Sequence, residues 1–138
     1  METFQGTCQF SGKLRQKPPL TNLPTEGRAV ARAQGRCNGV RARYVARASG
    51  TTSCGGGSAT GTGFIRFADG RIRFRFSEVR GPGTAAVRLE GADGGSATGE
   101  ARVSEDEDPA RIAAKCGGDG LRQVRIHIDL ATTPSISG

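Results

Sequence analysis

The sequence has few large aromatic side chains: no tryptophan, one tyrosine (Tyr44) and six phenylalanines, against 22 glycines. A chain of 138 residues must then build its core mostly from small side chains. Glycine inside a strand is costly unless the sheet bends or another backbone approaches closely. The composition therefore predicts one domain, residues 1–138, with a curved or closed sheet.

Several functional signatures are also missing. The one histidine, His127, cannot by itself supply a metal site or a Ser-His catalytic pair. No apolar run approaches the length of a transmembrane helix. The glycines at 55–57 are not followed by the Gly-Lys-Ser/Thr ending of a phosphate-binding loop. We therefore expect no cofactor and no metal, and the sequence favours a non-enzymatic protein.

Lysine is scarce, so the net charge of +7 comes mainly from arginine. Guanidinium groups bind phosphates and sulfates through paired hydrogen bonds, which would suit a polyanion partner. A GC-rich genome, in which arginine codons replace lysine codons, is the alternative interpretation. We favour the codon-usage interpretation, because net charge bears on solubility and association rather than on fold.

Four widely spaced cysteines, with no C-x-x-C pair, predict two disulfides and an oxidising compartment. We expect Cys8 to pair with Cys37 across neighbouring strands and Cys54 to pair with Cys116 at the helix end. Spacing alone allows three connectivities. We also expect that a signal peptide has been removed and that Met1 was added, which predicts an extracellular protein.

Period-two alternation of apolar and polar residues predicts about eight short strands. The strongest is residues 71–80, where Ile72, Phe74 and Phe76 alternate with arginines. Asn38-Gly39 and Asp69-Gly70 predict tight hairpin turns. The first predicted strand covers residues 3–11. The others cover 27–37, 40–48, 58–68, the segment with Ala85, Val87 and Leu89, the segment with Ala97, Gly99, Ala101 and Val103, and 121–131. Sequential hairpins favour an antiparallel up-and-down β-barrel, with a β-sandwich as the alternative.

One short helix is predicted near the C-terminus. Asp108 is a good N-cap, Pro109 suits the first helical position and Gly117 suits the exit. Ile112 and Ala113 are its predicted buried residues. We expect loops at the Pro-rich segment 17–24, which could also be an edge strand, and at the Gly-rich segment 50–57. The polar tail 132–138 is predicted to be loose.

The best candidate site lies at the end of the strand over 71–80. There Glu78 and Arg80 continue the inward face begun by Ile72, and buried charges are normally paired or functional. The alternative is that this strand ends or bulges before Glu78. Tyr44, inward on the strand over 40–48, could join them as a hydrogen-bonding wall residue.

A second candidate is an outer basic face formed if the Asn38-Gly39 hairpin pairs its two strands. Such a face could hold a polyanion. Aromatic residues for stacking on bases do not interleave with it, which disfavours nucleic acid. A solvated surface is the interpretation we prefer. The residues are Arg28, Arg32, Arg36, Arg41, Arg43 and Arg47.

Two further features have a simple structural explanation. His127 is predicted on the outer face of the last strand, between Arg125 and Asp129. The acidic run 105–108 lacks the spaced ligands of a calcium loop, and a capped helix start explains it.

The chain resembles an uncharacterised family of small secreted actinobacterial β proteins with four cysteines. The resemblance rests on Cys8-Gln9-Phe10-Ser11-Gly12, Pro18-Pro19-Leu20-Thr21, the segment 70–83, the segment 104–120 with Cys116, and the ending 132–138. It spans nearly the whole chain. It implies export and disulfides and carries no catalytic residue to transfer.

Three functions are compatible with these features. The first is a secreted non-enzymatic binding domain that recognises a small ligand in its barrel or a partner on its surface. The second is an accessory or structural subunit of a secreted assembly such as an envelope protein, toxin complex or adhesin, docking through segment 17–24 or the termini. The third is a barrel-type cyclase or isomerase that uses an enclosed apolar cavity with Glu78, Arg80 and Tyr44. The residues identify neither the ligand, the partner nor the oligomeric state.

Overall fold

The computed structural model describes residues 2–138, which form nine β-strands and one α-helix. The elements are β1 (Thr3–Phe4), β2 (Thr7–Leu20), β3 (Thr25–Cys37), β4 (Val40–Ser53), β5 (Gly56–Phe67), β6 (Gly70–Gly81), β7 (Thr84–Gly91), β8 (Gly94–Val103), α1 (Pro109–Cys116) and β9 (Leu121–Ser137).

The strands form a closed antiparallel barrel. Each strand from β2 to β8 pairs with the next along the chain, and β9 pairs with both β2 and β8. Eight strands, β2 to β9, therefore close the cylinder, and the two-residue β1 adds a short extra pairing to the end of β9. The predicted barrel is confirmed, and the sandwich alternative is wrong because β9 joins both edges of the sheet.

Alternation places the apolar residues inside. In β3, Ala29, Ala31, Ala33 and Cys37 are buried while the arginines between them are exposed. Asn38 and Gly39 adopt positive φ angles of 49° and 79°, as a tight hairpin between β3 and β4 requires. The inward side chains are large at one end of the barrel and small at the other, so the two ends differ in how much space they leave inside.

One end of the barrel is filled by large side chains. Phe10, Tyr44, Phe74 and Phe76 form a chain of ring contacts with centroid separations of 5.4, 5.6 and 6.1 Å. Fully buried aliphatic residues complete this end, which we call the closed end: Ile65, Ile72, Leu89 and Ile136.

The tail predicted to be loose is part of the barrel. Strand β9 continues to Ser137, where it pairs with Thr3 of β1 and Gly94 of β8. Ile136 has no exposed surface. Burial of this side chain and the two flanking ladders hold residues 132–137 in place, so the prediction is wrong.

Two connections are shorter than predicted. The Gly-rich segment 50–57 reduces to a turn at Cys54 and Gly55, because β4 and β5 pair up to Ser53 and Gly56. The prolines at 18 and 19 lie within β2 rather than in a loop. The register between β2 and β9 shifts between Arg15 and Leu20, and proline is tolerated where a ladder is interrupted.

Both disulfides have the predicted pairing, Cys8–Cys37 and Cys54–Cys116. The first joins directly opposed residues of β2 and β3. The second joins the β4–β5 turn to the last residue of α1. The structure thus contains two disulfides that suit an oxidising environment. Among residues 2–138 there is no helix with the length and apolar character needed to cross a bilayer.

Candidate functional site

A cavity of about 690 Å³ occupies the end of the barrel opposite the closed end. On β3 and β4 its wall is built mostly from alanine, whose side chain reaches only a short way into the barrel, and on β2 and β9 from larger aliphatic residues such as Leu14, Val124 and Ile126. An eight-stranded barrel is wide enough to hold one small ligand where its interior is not filled. Six alanines on four strands line it: Ala29, Ala31, Ala46, Ala48, Ala85 and Ala101.

A buried ion pair projects into this cavity from the end of β6. The Arg80 Nη2 donates to Glu78 Oε1 at 2.8 Å, and Arg80 Nε donates to the same oxygen at 3.1 Å. Their side chains are 9% and 11% exposed. Strand β6 extends to Gly81, so the alternative that it ends before Glu78 is wrong.

Gln16, on β2 at the opposite side of the barrel, completes the ion pair. Its Oε1 accepts a hydrogen bond from Arg80 Nη1 at 3.2 Å, and the residue is 9% exposed. Buried charges are stable only when paired and hydrogen-bonded, and this cluster meets both conditions. The three side chains together carry no net charge, because the charges of Glu78 and Arg80 cancel and the glutamine is neutral.

Tyr44 lies between the aromatic residues of the closed end and the cavity. It is 3% exposed, and its ring contacts both Phe10 and Phe74. Burial raises the pKa of its phenol, and the nearby charge of Glu78 raises the pKa further. The hydroxyl is therefore a neutral hydrogen-bond donor in neutral solution.

The mouth of the cavity is partly covered by α1. Asp108 caps this helix by accepting from the Ala110 amide at 3.0 Å, and Gly117 ends it, as predicted. Pro109, Ile112 and Ala113 line the mouth. Ile112 is half-buried and Ala113 is exposed, so the prediction that Ala113 is buried is wrong: the helix lies over an opening rather than against packed core.

Tyr44 makes the stability of the fold sensitive to alkaline pH. The folded state holds the phenolic proton more tightly than the unfolded chain, whose tyrosine pKa is 10.0. The stability that neutral Tyr44 contributes to the folded state is thus fully present below pH 10 and is lost progressively as the pH rises above 10. We expect the free energy of unfolding to fall by about 1.4 kcal/mol per pH unit there.

Denaturant unfolding at several pH values would measure this slope, with Tyr44→Phe as the control that should lack it. Tyr44 is the single tyrosine, so tyrosinate absorbance reports on it alone. Tyrosinate absorbance that rises at the ordinary pKa while the circular dichroism stays native would contradict the burial argument.

The six arginines of the predicted basic face are all exposed on the outside of β3 and β4. Arg36 and Arg41 are directly opposed across the hairpin. None of the six takes part in an ion pair within residues 2–138. This face lies on the outer wall and shares no residue with the cavity lining.

His127 lies on the outer face of β9, as predicted, between two hydroxyls. Ser11 Oγ lies 2.6 Å from Nδ1, and Ser104 Oγ lies 3.4 Å from Nε2. Asp129, two residues along, pairs with Arg102 instead. Among residues 2–138 no carboxylate orients the imidazole, so the arrangement lacks the third member of a catalytic triad.

The acidic run 105–108 is explained by its neighbours. Glu107 Oε1 accepts from Arg125 Nε at 3.0 Å, and Asp108 caps α1. In the described part of the chain, no three His, Cys, Asp or Glu side chains are grouped as metal ligands would be.

Sequence reasoning missed Gln16 and the helix residues of the mouth. A signal for Gln16 was present: Cys8, Phe10 and Leu14 share its parity, so the inward face continues to it along β2. The loop predicted from residue 17 concealed this continuation. No comparable signal places α1 over the cavity.

Comparisons with known protein families, curated proteins and solved structures found no match to this chain. The resemblance to small secreted actinobacterial proteins therefore stays a prediction.

Proposed function

We propose that this protein is a secreted, non-enzymatic binding domain that takes up a small, mostly apolar and uncharged molecule in the barrel cavity. The observation that carries the proposal is the cavity of about 690 Å³, lined mainly by alanine and larger aliphatic side chains, with the Glu78–Arg80 pair inside it and the further charged residues Arg102, Glu105 and Glu107 in its lining. Ligand sites are typically clefts of about 300–1,000 Å³ with apolar walls and a few fixed polar groups.

The polar cluster indicates the polarity of the ligand. Glu78 and Arg80 neutralise each other at 2.8 Å, and Tyr44 is neutral. A ligand carboxylate or ammonium would have to lose its hydration without an unpaired counter-charge, which is costly. A hydroxyl or carbonyl group, in contrast, could accept from the Tyr44 phenol or from the Arg80 guanidinium.

The proposed extracellular location rests on the two disulfides. Cys8–Cys37 and Cys54–Cys116 use all four cysteines of the chain. Such frameworks form and persist in oxidising compartments. A soluble carrier in that setting needs a closed scaffold and an internal apolar site, and the barrel supplies both.

Binding of the uncharged dye Nile red would test the proposal. We expect a blue-shifted emission and saturable binding in the wild-type protein. Ala31 and Ala46 are directly opposed and both line the cavity. The variant Ala31→Phe/Ala46→Phe should fill it and lower the affinity by about tenfold or more, because apolar contact area for the dye is lost.

The variant Ala86→Phe, which adds a ring on the exposed side of β7, is the matched control and should leave binding unchanged. Decanol and decanoate should both compete with the dye, but decanol should displace it at a concentration about tenfold lower. Decanoate carries a charge that must lose its hydration in the cavity, and decanol does not. Equal dye affinity in the filled variant would show that the cavity is not the site.

A second experiment distinguishes the cyclase or isomerase alternative, which is favoured by the placement of Glu78 beside the apolar cavity. A binding protein releases its natural ligand unchanged. An enzyme releases an isomer, and Glu78→Gln should abolish that conversion. Copurified small molecules, identified by mass spectrometry and chromatography before and after incubation, would decide between the two.

A further inference from the structure

The basic outer face extends well beyond the β3–β4 hairpin. It covers five adjacent strands, β2 to β6, where thirteen cationic side chains are exposed on outward positions. These are Lys13, Arg15, Lys17, Arg28, Arg32, Arg36, Arg41, Arg43, Arg47, Arg66, Arg71, Arg73 and Arg75. We call this surface the basic wall.

The charges of the basic wall are almost uncompensated. Within the described residues, one of the thirteen, Arg75, has an ion-pair partner, Glu90 of β7 at 3.7 Å. Glu26 is the one acidic residue on the outward positions of these five strands. The remaining outer acidic groups lie mostly in residues 90–129, on β7 to β9 and around α1. The protein is therefore electrostatically two-sided.

Like charges on the basic wall are placed directly opposite each other. Directly opposed like charges on neighbouring strands destabilise a sheet. Protection of a sheet edge does not explain them, because the barrel is closed and these strands have no free edge. The opposed pairs are Lys13–Arg32, Lys17–Arg28, Arg36–Arg41, Arg43–Arg66 and Arg66–Arg71.

A bound polyanion accounts for this arrangement. Arg43, Arg66 and Arg71 are successive partners across three strands, and neighbouring strands lie about 4.8 Å apart. Outward residues along one strand repeat at about 6.7 Å. The result is a grid of guanidinium groups, each able to bind a sulfate or phosphate ester through paired hydrogen bonds.

The chemistry of the surface favours a saccharide backbone over a single-stranded nucleic acid. Binding of single-stranded nucleic acid relies on aromatic rings on which bases stack. Phe64 is the one aromatic side chain on the outward positions of the basic wall, and the Arg71 guanidinium lies over its ring at 5.6 Å. We propose that the basic wall binds a linear polysaccharide carrying sulfate or phosphate esters.

The test uses heparin as the probe, measured by calorimetry and by retention on a heparin column. The wild-type protein should bind it at physiological salt, with affinity that falls as salt rises. The variant Arg43→Gln/Arg66→Gln/Arg71→Gln should lower the affinity by about tenfold or more and should elute at lower salt. Its melting temperature without heparin should change little, because the removal of repulsion between opposed charges offsets the loss of the Arg71 contact with the Phe64 ring.

The control Arg88→Gln/Arg111→Gln/Arg122→Gln removes the same charge from exposed positions outside the basic wall. It should lower heparin affinity by less than about threefold. Dextran sulfate should bind and uncharged dextran should not. Three outcomes would overturn the proposal: an equal loss in the control, no binding of heparin, or equally tight binding of a single-stranded or duplex oligonucleotide. The last would assign the basic wall to nucleic acid.

Discussion

Replacing Arg80 with methionine is expected to lower the free energy of unfolding by about 3 kcal/mol. Removing one member of a buried ion pair leaves an uncompensated charge, at a cost of about 3–5 kcal/mol. Glu78, 11% exposed, would keep its carboxylate inside the barrel without the guanidinium that now donates to it twice. The lower part of the range applies because the pair faces a cavity rather than packed core.

The double variant Glu78→Leu/Arg80→Met should recover most of that loss, because no charge then remains buried. Arg88→Met, at an exposed position on the adjacent strand, should change the stability by less than about 0.5 kcal/mol. Urea unfolding of the four proteins measures all of these values. A double variant as unstable as Arg80→Met would show that packing of the guanidinium, and not its charge, is what the site requires.

Removal of the disulfide at the cavity mouth, in Cys54→Ser/Cys116→Ser, should lower the stability by about 4 kcal/mol. The bond closes a loop with a sequence separation of 62, and the chain-entropy relation gives this value. Helix α1 also has few other ties to the barrel; one is the bond from the Asn22 amide to the Cys116 carbonyl at 3.2 Å. The helix should therefore loosen before the barrel unfolds.

Hydrogen exchange would show this as faster exchange in residues 109–116 while the amides of β6 stay protected. The matched comparison is Cys8→Ser/Cys37→Ser, whose shorter loop of separation 29 predicts a loss of about 3.5 kcal/mol with no local effect on α1. Unchanged exchange of the helix in the first variant would mean that contacts other than the disulfide hold it over the mouth.

Local chemistry made much of the architecture predictable. The alternation of Ile72, Phe74 and Phe76 with arginines defines both the strand and its inner face. Asn38-Gly39 sets a hairpin because both residues tolerate positive φ, as they do here at 49° and 79°. Asp108 and Pro109 define a helix start. Each of these signals acts over a few residues and needs no knowledge of distant parts of the chain.

The misassigned segments depend on distant partners. Residues 132–137 carry a polar composition, and their order comes from pairing with β1 and β8, which lie far from them along the chain. Pro18 and Pro19 lie in a strand because the ladder to β9 is interrupted beside them. Composition favours a loop in both places, and tertiary pairing overrides it.

The candidate site shows the same division. Parity along β4 and β6 was sufficient to place Tyr44, Glu78 and Arg80 on inner faces. Parity does not show that the arginine turns back onto Glu78 or that Gln16 accepts from it at 3.2 Å. The Gln16 contact depends on closure of the sheet, which brings β2 and β6 within side-chain reach across the barrel.

The sequence by itself thus determined the strands, their inner faces, the disulfide-rich character and the excess of arginine. The tertiary structure alone decided that the interior is filled at one end and hollow at the other, that α1 covers the mouth, and that the arginines of five strands form one wall. The physical reason is that residue type and spacing act locally, whereas a cavity and a charged surface arise only when distant strands are brought into one register by closure of the barrel.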